Sequence, residues 1–269
     1  MSSCDISVVI PVYGKAQADF LPEAVDSVLA QTCQDFEIVL VAGGVEGEQA
    51  ADRQKEKDAR ISVLHGVVRG LSDARNRGIE NAWGRWIVAL DADDTLRPRY
   101  LECLAQAIGE DPYAISSCNP TKAWWVLEPD GYAKILERNA LLTSSMFTRT
   151  LWKVVGGYEV SILGYEDWAF WISCSKFNPT VTILPDKLFE RRVHADSMTQ
   201  MEQSVGADRY WKAMIRIRYP HLYPKANLYA DCLLLRSLPL PLVNRLRKRV
   251  EDFPENKDCR AFLDLVEGR

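Results

Sequence analysis

The sequence predicts an α/β protein, built as a mostly parallel, doubly wound sheet flanked by helices and followed by a helical C-terminal extension. Three observations predict it. Short apolar runs alternate with segments of helical periodicity over the first hundred residues. The connections between them are short, as in successive strand–helix–strand units. Beyond Gly206 the pattern is helical and repeatedly interrupted by proline.

Ile6–Ile10 is a continuous apolar run ended by Pro11, as expected for a strand buried on both faces. Leu21, Ala24, Val25, Val28 and Leu29 recur at helical spacing, with Asp19 as N-cap and Pro22 in the first turn. Phe36–Val41 reads as a second strand, ended by Gly43-Gly44. A polar helix over 46–58, a short strand Ile61–Leu64, a helix over 72–82 and a fourth buried strand Trp86–Leu90 follow. After Ile108 the pattern is irregular, with strands near 114–117, 144–148, 181–184 and 188–193. A helix over 167–176 buries Trp168, Trp171 and Ile172, and the extension, 205–269, is broken at Pro220, Pro224, Pro239 and Pro241.

With 269 residues the chain can bury a substantial core, one domain plus an extension. No apolar run approaches the ~20 residues needed to span a bilayer, and the N-terminal residues lack a signal-peptide pattern. The seven cysteines are odd in number, scattered and without a CxxC pair, which favours buried thiols in a reducing cytoplasm over a disulfide framework or zinc ribbon. A cytoplasmic protein is the expectation. Its formal charge of −4 is unevenly spread. Between Arg209 and Arg249 ten basic residues face one acid, Asp231, a local +9 that leaves −13 on the rest. Such segregation points to an anionic partner near the C-terminal end, while the acidic remainder argues against nucleic acid.

Ligands of parallel sheets bind beyond the carboxyl ends of the strands. Two unusual segments fall there: Pro11-Val12-Tyr13-Gly14 after the first strand and Asp91-Ala92-Asp93-Asp94 after the fourth. An extended backbone points Asp91 and Asp93 the same way, and carboxylates so crowded suit a hard divalent cation that can in turn hold a diphosphate. The alternative is an acidic turn that caps the next helix; the strand-end position favours the metal. Glu166-Asp167 opens an aromatic helix, where capping and a partly desolvated general base are both open readings. His194 ends a strand; on its own it reads as a packed or surface histidine, as do His65 and His221.

These pieces stand in a familiar order. Val8-Val9-Ile10-Pro11-Val12-Tyr13, Ser27…Gln31-Thr32, Phe36-Glu37-Ile38-Val39, Gly70-Leu71-Ser72-Asp73-Ala74-Arg75-Asn76-Arg77-Gly78 and Val88-Ala89-Leu90-Asp91-Ala92-Asp93-Asp94 come first. Gly156-Gly157-Tyr158, Glu166-Asp167 and Arg192-Val193-His194-Ala195-Asp196-Ser197-Met198-Thr199 complete the set. Each is weak alone, but the ordered set resembles the family-2 glycosyltransferases, inverting enzymes of the GT-A fold, over roughly three quarters of the chain.

The resemblance implies a GT-A domain over 1–204, with a nucleotide-binding half, 1–95, and an acceptor and catalytic half, 96–204. Pro11 and Tyr13 would line the base and ribose pocket, and Arg75 and Asn76 would contact the nucleotide or its sugar. Asp91-Ala92-Asp93 would lie along the nucleotide. Asp93 would bind Mn²⁺ or Mg²⁺ directly, Asp91 would contact metal or ribose, and His194 would be a further metal ligand. Asp167 would be the catalytic base, with Glu166 holding Asp167 or the acceptor. The donor would be a nucleoside-diphosphate sugar, UDP-linked by preference, and the transferred group a hexose or N-acetylhexosamine. A glycan or lipid-linked glycan in surface-glycan or glycolipid assembly would accept it.

One departure stands out: the two acids usual after the second strand are replaced by Ala42 and Gly43, removing the expected carboxylate contact to the base. That departure motivates the competing reading, a non-catalytic nucleotide-sugar-binding relative. A nucleotidyltransferase would require a glycine-rich, basic loop after the first strand, and a dehydrogenase a GxGxxG; neither is present. Trp124, Trp125 and Tyr132 stand equally as sugar-stacking or core residues. In the extension, Tyr210, Trp211, Tyr219, Tyr223 and Tyr229 are interleaved with the basic residues, a mix suited to a membrane interface. The apolar stripe Leu242, Val243, Leu246 and Val250 either docks on anionic lipid or packs on the body, the second being favoured. Peripheral contact with the inner face of the cytoplasmic membrane follows from the first.

Overall fold

The computed structural model describes residues 5–122, 126–128, 130–194 and 206–268. It falls into two compact units: residues 1–158 with 170–192, and residues 159–169 with 193–269. The second unit takes in the eleven-residue segment 159–169 as well as the extension.

The first unit holds an eight-stranded mixed sheet. Its strands are β1 (Ile6–Tyr13), β2 (Phe36–Gly43), β3 (Ile61–Leu64), β4 (Trp86–Ala89), β5 (Thr95–Leu96), β6 (Ile115–Pro120), β7 (Met146–Thr148) and β8 (Val181–Glu190). The order is β3-β2-β1-β4-β7-β6-β8-β5. β3, β2, β1 and β4 run parallel, and β7 pairs antiparallel with both β4 and β6. Helices α1 (Gly14–Leu29), α2 (Gly44–Lys55), α3 (Leu71–Asn81), α4 (Tyr100–Ile108) and α5 (Arg149–Val155) connect them. Every residue of β2 and β4 is buried, which is why these strands read as mainly apolar runs; the one charge, Glu37, accepts hydrogen bonds from the Ser7 hydroxyl and the Trp83 N–H. Each fully buried Ile or Val of this layer contributes about 1.5–3 kcal/mol.

Two elements differ from the sequence reading. Pro11 does not end β1. Val9 already turns its carbonyl towards Leu90, so Pro11, two residues on, faces the same side, where the β4 ladder has ended. Its missing N–H therefore removes no ladder bond. The next helix starts at Gly14 rather than Asp19, because Gly14 at φ +77° lets the chain turn straight out of the strand. The Gln17 side chain accepts the Tyr13 N–H at 2.7 Å, Pro22 falls inside the helix, and Asp19 pairs with Lys15 instead. Likewise 181–184 and 188–193 are not two strands but one, β8: its register against β6 jumps from Leu184 to Lys187, so Pro185 and Asp186 bulge out exposed.

Close packing of α3 on the parallel strands depends on Gly78, where a Cβ would lie 2.3 Å from Val9 Cγ1. That contact sets the depth of the helix whose preceding turn carries Arg75.

Among its described residues the second unit holds the first turn of α6 (Glu166–Ser175) and four helices: α7 (Asp208–Arg218), α8 (Lys225–Leu235), α9 (Leu240–Asp252) and α10 (Lys257–Glu267). Pro220 opens a single 3₁₀ turn, Pro224 and Pro239 are N-caps, and Pro241 sits harmlessly in the first turn of α9. Arg216 grips the buried Asp231 with two hydrogen bonds of 2.7 and 2.6 Å, tying α7 to α8. Leu242, Val243, Leu246 and Val250 are all buried, so the apolar stripe of α9 packs inward.

Candidate active site

At the carboxyl edge of the parallel strands, Pro11 is buried within β1 and Tyr13, the last residue, is 61% exposed. The Tyr13 ring lies over the end of β2. A Cβ on Gly43 would stand 3.1 Å from its Cδ2 and 2.7 Å from Val68 Cγ2, and a Cβ on Gly44 3.4 Å from its Cε2. Gly43 has an ordinary extended φ of −134°, so glycine is required there by space, not by backbone strain. An acid in this position would displace Val68. Asp73 does not take its place: its carboxylate accepts the Arg69 N–H and guanidinium, closing the turn into α3.

The turn after β4 is braced from two sides. Arg75, on α3 and 1% exposed, donates to Asp91 Oδ1 at 2.7 Å, and its guanidinium lies 5.5 Å from the centre of the Tyr158 ring. Arg192, just past β8, donates its backbone N–H to Asp94 Oδ1 at 2.8 Å and its Nε to the Asp93 carbonyl at 3.1 Å, and its guanidinium pairs with Glu23. Ala92 is fully buried and fixes the turn. Burial pushes the Asp94 carboxyl well up, and the Asp91 and Asp93 charges push it further. Negative charge is thus crowded into one turn. Oxygen donors of this kind are of the type that suits Mg²⁺ or Mn²⁺; Asp91 and Asp93 could supply carboxylate ligands to such an ion. Among the described residues no three His, Cys, Asp or Glu side chains are grouped to hold a metal ion, and His194, half-buried, belongs to the second unit.

Asn76 is bonded within the protein. Its amide oxygen accepts the Tyr158 N–H at 2.8 Å and the Trp152 indole N–H at 3.2 Å, and its NH₂ donates to the Tyr158 carbonyl at 2.9 Å. Three of its four hydrogen-bonding positions are therefore spent on the Gly156–Tyr158 turn, leaving little for a nucleotide. A Cβ on Gly157 would lie 2.7 Å from Asn76 Oδ1, which accounts for the glycine. Tyr132 is likewise structural, its hydroxyl donating to the Trp171 carbonyl at 2.9 Å. Trp124 and Trp125 lie outside the described residues, as does 195–199 of the resemblance.

In the second unit Glu166 and Asp167 open α6. Asp167 Oδ1 accepts the Trp168 N–H at 2.8 Å, and the Glu166 charge acts on Arg249 of α9. The residue before them, Tyr165, is left-handed at φ +60°, a conformation that costs a non-glycine residue about 1–3 kcal/mol and persists only where surroundings impose it. The surroundings are helices of the extension. Tyr165 donates its hydroxyl to Asp208 Oδ1 at 2.5 Å, and Arg245 donates to the Leu163 carbonyl at 3.0 Å. Arg218 pairs with Glu159 at 2.7 Å, and the Tyr219 hydroxyl reaches the Ala169 carbonyl at 3.3 Å. Gly164 lies against the Trp211 indole, which a Cβ would approach to 2.5 Å. Asp94 and Arg192 stood in segments the sequence singles out, but their bond to one another did not show there; the Tyr165–Asp208 bond had no sequence signal.

Comparison with known proteins matches these features. Residues 7–161 match Glycosyl transferase family 2. A B. subtilis protein named as the uncharacterized glycosyltransferase EpsJ is 28% identical over 76% of this chain and 66% of its own length. A PGL/p-HBAD biosynthesis glycosyltransferase of Mycobacterium bovis is 32% identical over 65% of this chain and 71% of its own. The chain thus spans about two thirds of the length of these relatives. A glucosyl-dolichyl phosphate glucuronosyltransferase of Haloferax volcanii is 27% identical over 92% of this chain and 87% of its own. Among solved structures, S. aureus TarS 1-349 in complex with UDP superposes with a TM-score of 0.57 at 16% identity, covering 98% of this chain and 90% of that one. The mannosyltransferase PcManGT of Pyrobaculum calidifontis, with GDP-Man and Mn²⁺, gives 0.58 at 17% identity, covering 98% and 84%. The fold is therefore GT-A. A family match over more than half of the chain, carried by the parallel strands and their carboxyl edge, makes this protein a member of glycosyl transferase family 2.

Proposed function

We propose that the protein is an inverting glycosyltransferase that moves a hexose or N-acetylhexosamine from a nucleoside-diphosphate sugar, UDP-linked by preference, to a hydroxyl of a glycan or lipid-linked glycan. One observation carries the reading: the crowded Asp91–Asp94 turn at the carboxyl edge of the parallel strands, with Asp91 locked to a buried arginine.

Tyr13 and Pro11 bound the nucleotide pocket, and Arg75 holds Asp91 in place towards it. Asp91 and Asp93 would hold the divalent cation, with His194 as the further ligand that the resemblance implies; such a cation offsets charge on a departing diphosphate. Asp167 takes the proton from the acceptor hydroxyl as its oxygen bonds to the anomeric carbon. The bond from that carbon to the phosphate oxygen breaks, its electron pair leaves with the nucleoside diphosphate, and configuration inverts in one displacement. Glu166 orients the acceptor or Asp167.

An acceptor in surface-glycan or glycolipid assembly is supported by the names of two relatives, one in PGL/p-HBAD biosynthesis and one acting on glucosyl-dolichyl phosphate. It is supported also by the surface of α8. There Lys225, Tyr229, Leu233 and Arg236 are exposed at spacings of about one helical turn, and Leu240 continues the line. Asp231, the sole acid between Arg209 and Arg249, is buried in its pair with Arg216, so it does not offset the exposed Lys225 and Arg236. This face, rather than the buried stripe of α9, is the one we assign to anionic lipid. No helix among the described residues is long and apolar enough to cross a membrane, so the contact proposed is peripheral, at the inner face of the cytoplasmic membrane.

The test is release of nucleoside diphosphate from UDP-, GDP-, CDP- and dTDP-sugars with Mn²⁺ and a lipid-extract acceptor, with the product's anomeric configuration read by NMR. One donor should be consumed and yield an inverted linkage. Tight nucleotide binding with no turnover of any donor would favour the non-catalytic relative that Ala42 and Gly43 bring to mind. A retained configuration would remove the single-displacement mechanism.

A further inference from the structure

The segment 159–169 is separated from α7 by some forty residues, yet the two belong to one compact unit. Ser161, Ile162 and Leu163 are at most 3% exposed. Leu163, Gly164 and Tyr165 are met by Arg245, Trp211 and Asp208, on helices that the family match, ending at residue 161, does not include. We propose that the C-terminal helices mount the loop that presents Glu166-Asp167, and that the Tyr165–Asp208 hydrogen bond is the latch that sets its conformation.

The argument is geometric. Tyr165 is the residue immediately before the carboxylate pair, and it holds a left-handed backbone at φ +60°. That conformation aims the chain into α6, and therefore sets where Glu166 and Asp167 point. Its hydroxyl is fixed to Asp208 at 2.5 Å, a short charge-assisted bond, and its ring packs edge-on to Trp168 with centroids 5.9 Å apart. Asp208 is anchored in turn by Lys212 at 3.0 Å, one turn along α7. Hydrogen bonds from Tyr165 and Lys212 hold the Asp208 carboxyl below its ordinary range although burial opposes it, which agrees with a carboxylate engaged as acceptor. On the preceding side the loop cannot drift, because Gly164 abuts the Trp211 indole and the Leu163 carbonyl is bonded to Arg245. Tyr165 and Asp208 are positioning residues; neither is required to touch substrate. The proposal rests on Asp167 as base, and the test separates the two.

The experiment uses the full chain and Tyr165→Phe, Asp208→Asn, the double variant and Asp167→Asn. Nucleoside diphosphate release gives kcat and donor KM, titration gives nucleotide Kd, and amide hydrogen exchange is followed over 163–169. Each latch variant is expected to lower kcat at least tenfold with donor KM and nucleotide Kd within twofold of wild type. The double variant should be no more than twofold worse than the weaker single, since Tyr165→Phe removes the same bond that Asp208→Asn strips of its charge. Exchange over 163–169 should rise in Asp208→Asn while amides of β1, β2 and β4 keep their protection. Wild-type kcat and unchanged exchange in both singles would overturn the latch, with Asp167→Asn inactive showing that the base reading survives it. Faster exchange in the latch variants together with a fully active Asp167→Asn would keep the mount but remove Asp167 as what it presents. Equal losses of kcat and nucleotide affinity would also overturn the proposal, showing a general structural role.

Discussion

The turn after β4 and the loop before α6 each present two carboxylates, and they are held in different ways. Asp91 and Asp93 sit where a fully buried strand ends, braced by Arg75 from the adjoining helix and by the backbone of Arg192. Glu166 and Asp167 follow a left-handed tyrosine in a loop pinned by side chains 43 and 82 residues further on, Asp208 for Tyr165 and Arg245 for Leu163. The sheet itself builds the first; the second is built by whatever follows it in the chain. Parallel strands fix their own carboxyl edge, whereas a loop takes the geometry its contacts impose, so the two carboxylate pairs depend on different parts of the chain.

The sharpest way to separate the two regions is Asp167→Asn. Turnover should fall by about 10²–10⁴, the usual worth of a general base, while nucleotide affinity in titration stays at the wild-type value. Arg75→Leu attacks the other region. Removing the guanidinium leaves Asp91 without its buried partner, and stability should fall by about 3 kcal/mol, the lower end for a broken buried pair because Asp91 is 30% exposed. Urea unfolding would show this as a lower midpoint at unchanged slope, and nucleotide affinity should drop with it.

Gly164→Ala probes the mount by crowding rather than deletion. With Trp211 fully buried and 2.5 Å from the added Cβ, the cost should be about 1–3 kcal/mol. Turnover should fall while nucleotide affinity is kept; equal loss of both would blur the distinction drawn here. The smallest effect expected is on pH dependence. Asp208 has a lowered carboxyl pKa in the folded protein, so its stabilising contribution is present above the ordinary value of 3.8 and is lost as pH falls through the lowered one. The gap in unfolding midpoint between wild type and Asp208→Asn should therefore be widest near neutrality and close in acid, a difference worth only about a few tenths of a kcal/mol at so exposed a group.

Much of the first region could be read in advance. Ile6–Ile10, Phe36–Val41, Ile61–Leu64 and Trp86–Leu90 are short, predominantly apolar runs separated by helical patterns, which a parallel sheet covered by helices explains. Their ends then located Tyr13 and the acidic turn. Reading failed where a local signal had two outcomes. Pro11 and Pro185 look like strand terminators but fall at an unpaired edge and in a bulge. That the Tyr158 turn engages the Asn76 amide is likewise something no sequence pattern shows. The second region was legible only as residue types. Glu166-Asp167 could be recognised, yet the bond from Tyr165 to Asp208 depends on a helix packing that no spacing encodes, and the apolar stripe of α9 told inward from outward only through its contacts.

The central claim is that the Asp91–Asp94 turn binds the donor's diphosphate through a divalent cation. Calorimetric titration of UDP and GDP into wild type and Asp93→Asn, each with and without Mn²⁺, tests it most directly. The account predicts that one nucleotide binds wild type only with Mn²⁺ and binds Asp93→Asn at least tenfold more weakly, a difference of about 1.4 kcal/mol. Equal affinity in the two proteins, or binding indifferent to Mn²⁺, would contradict it.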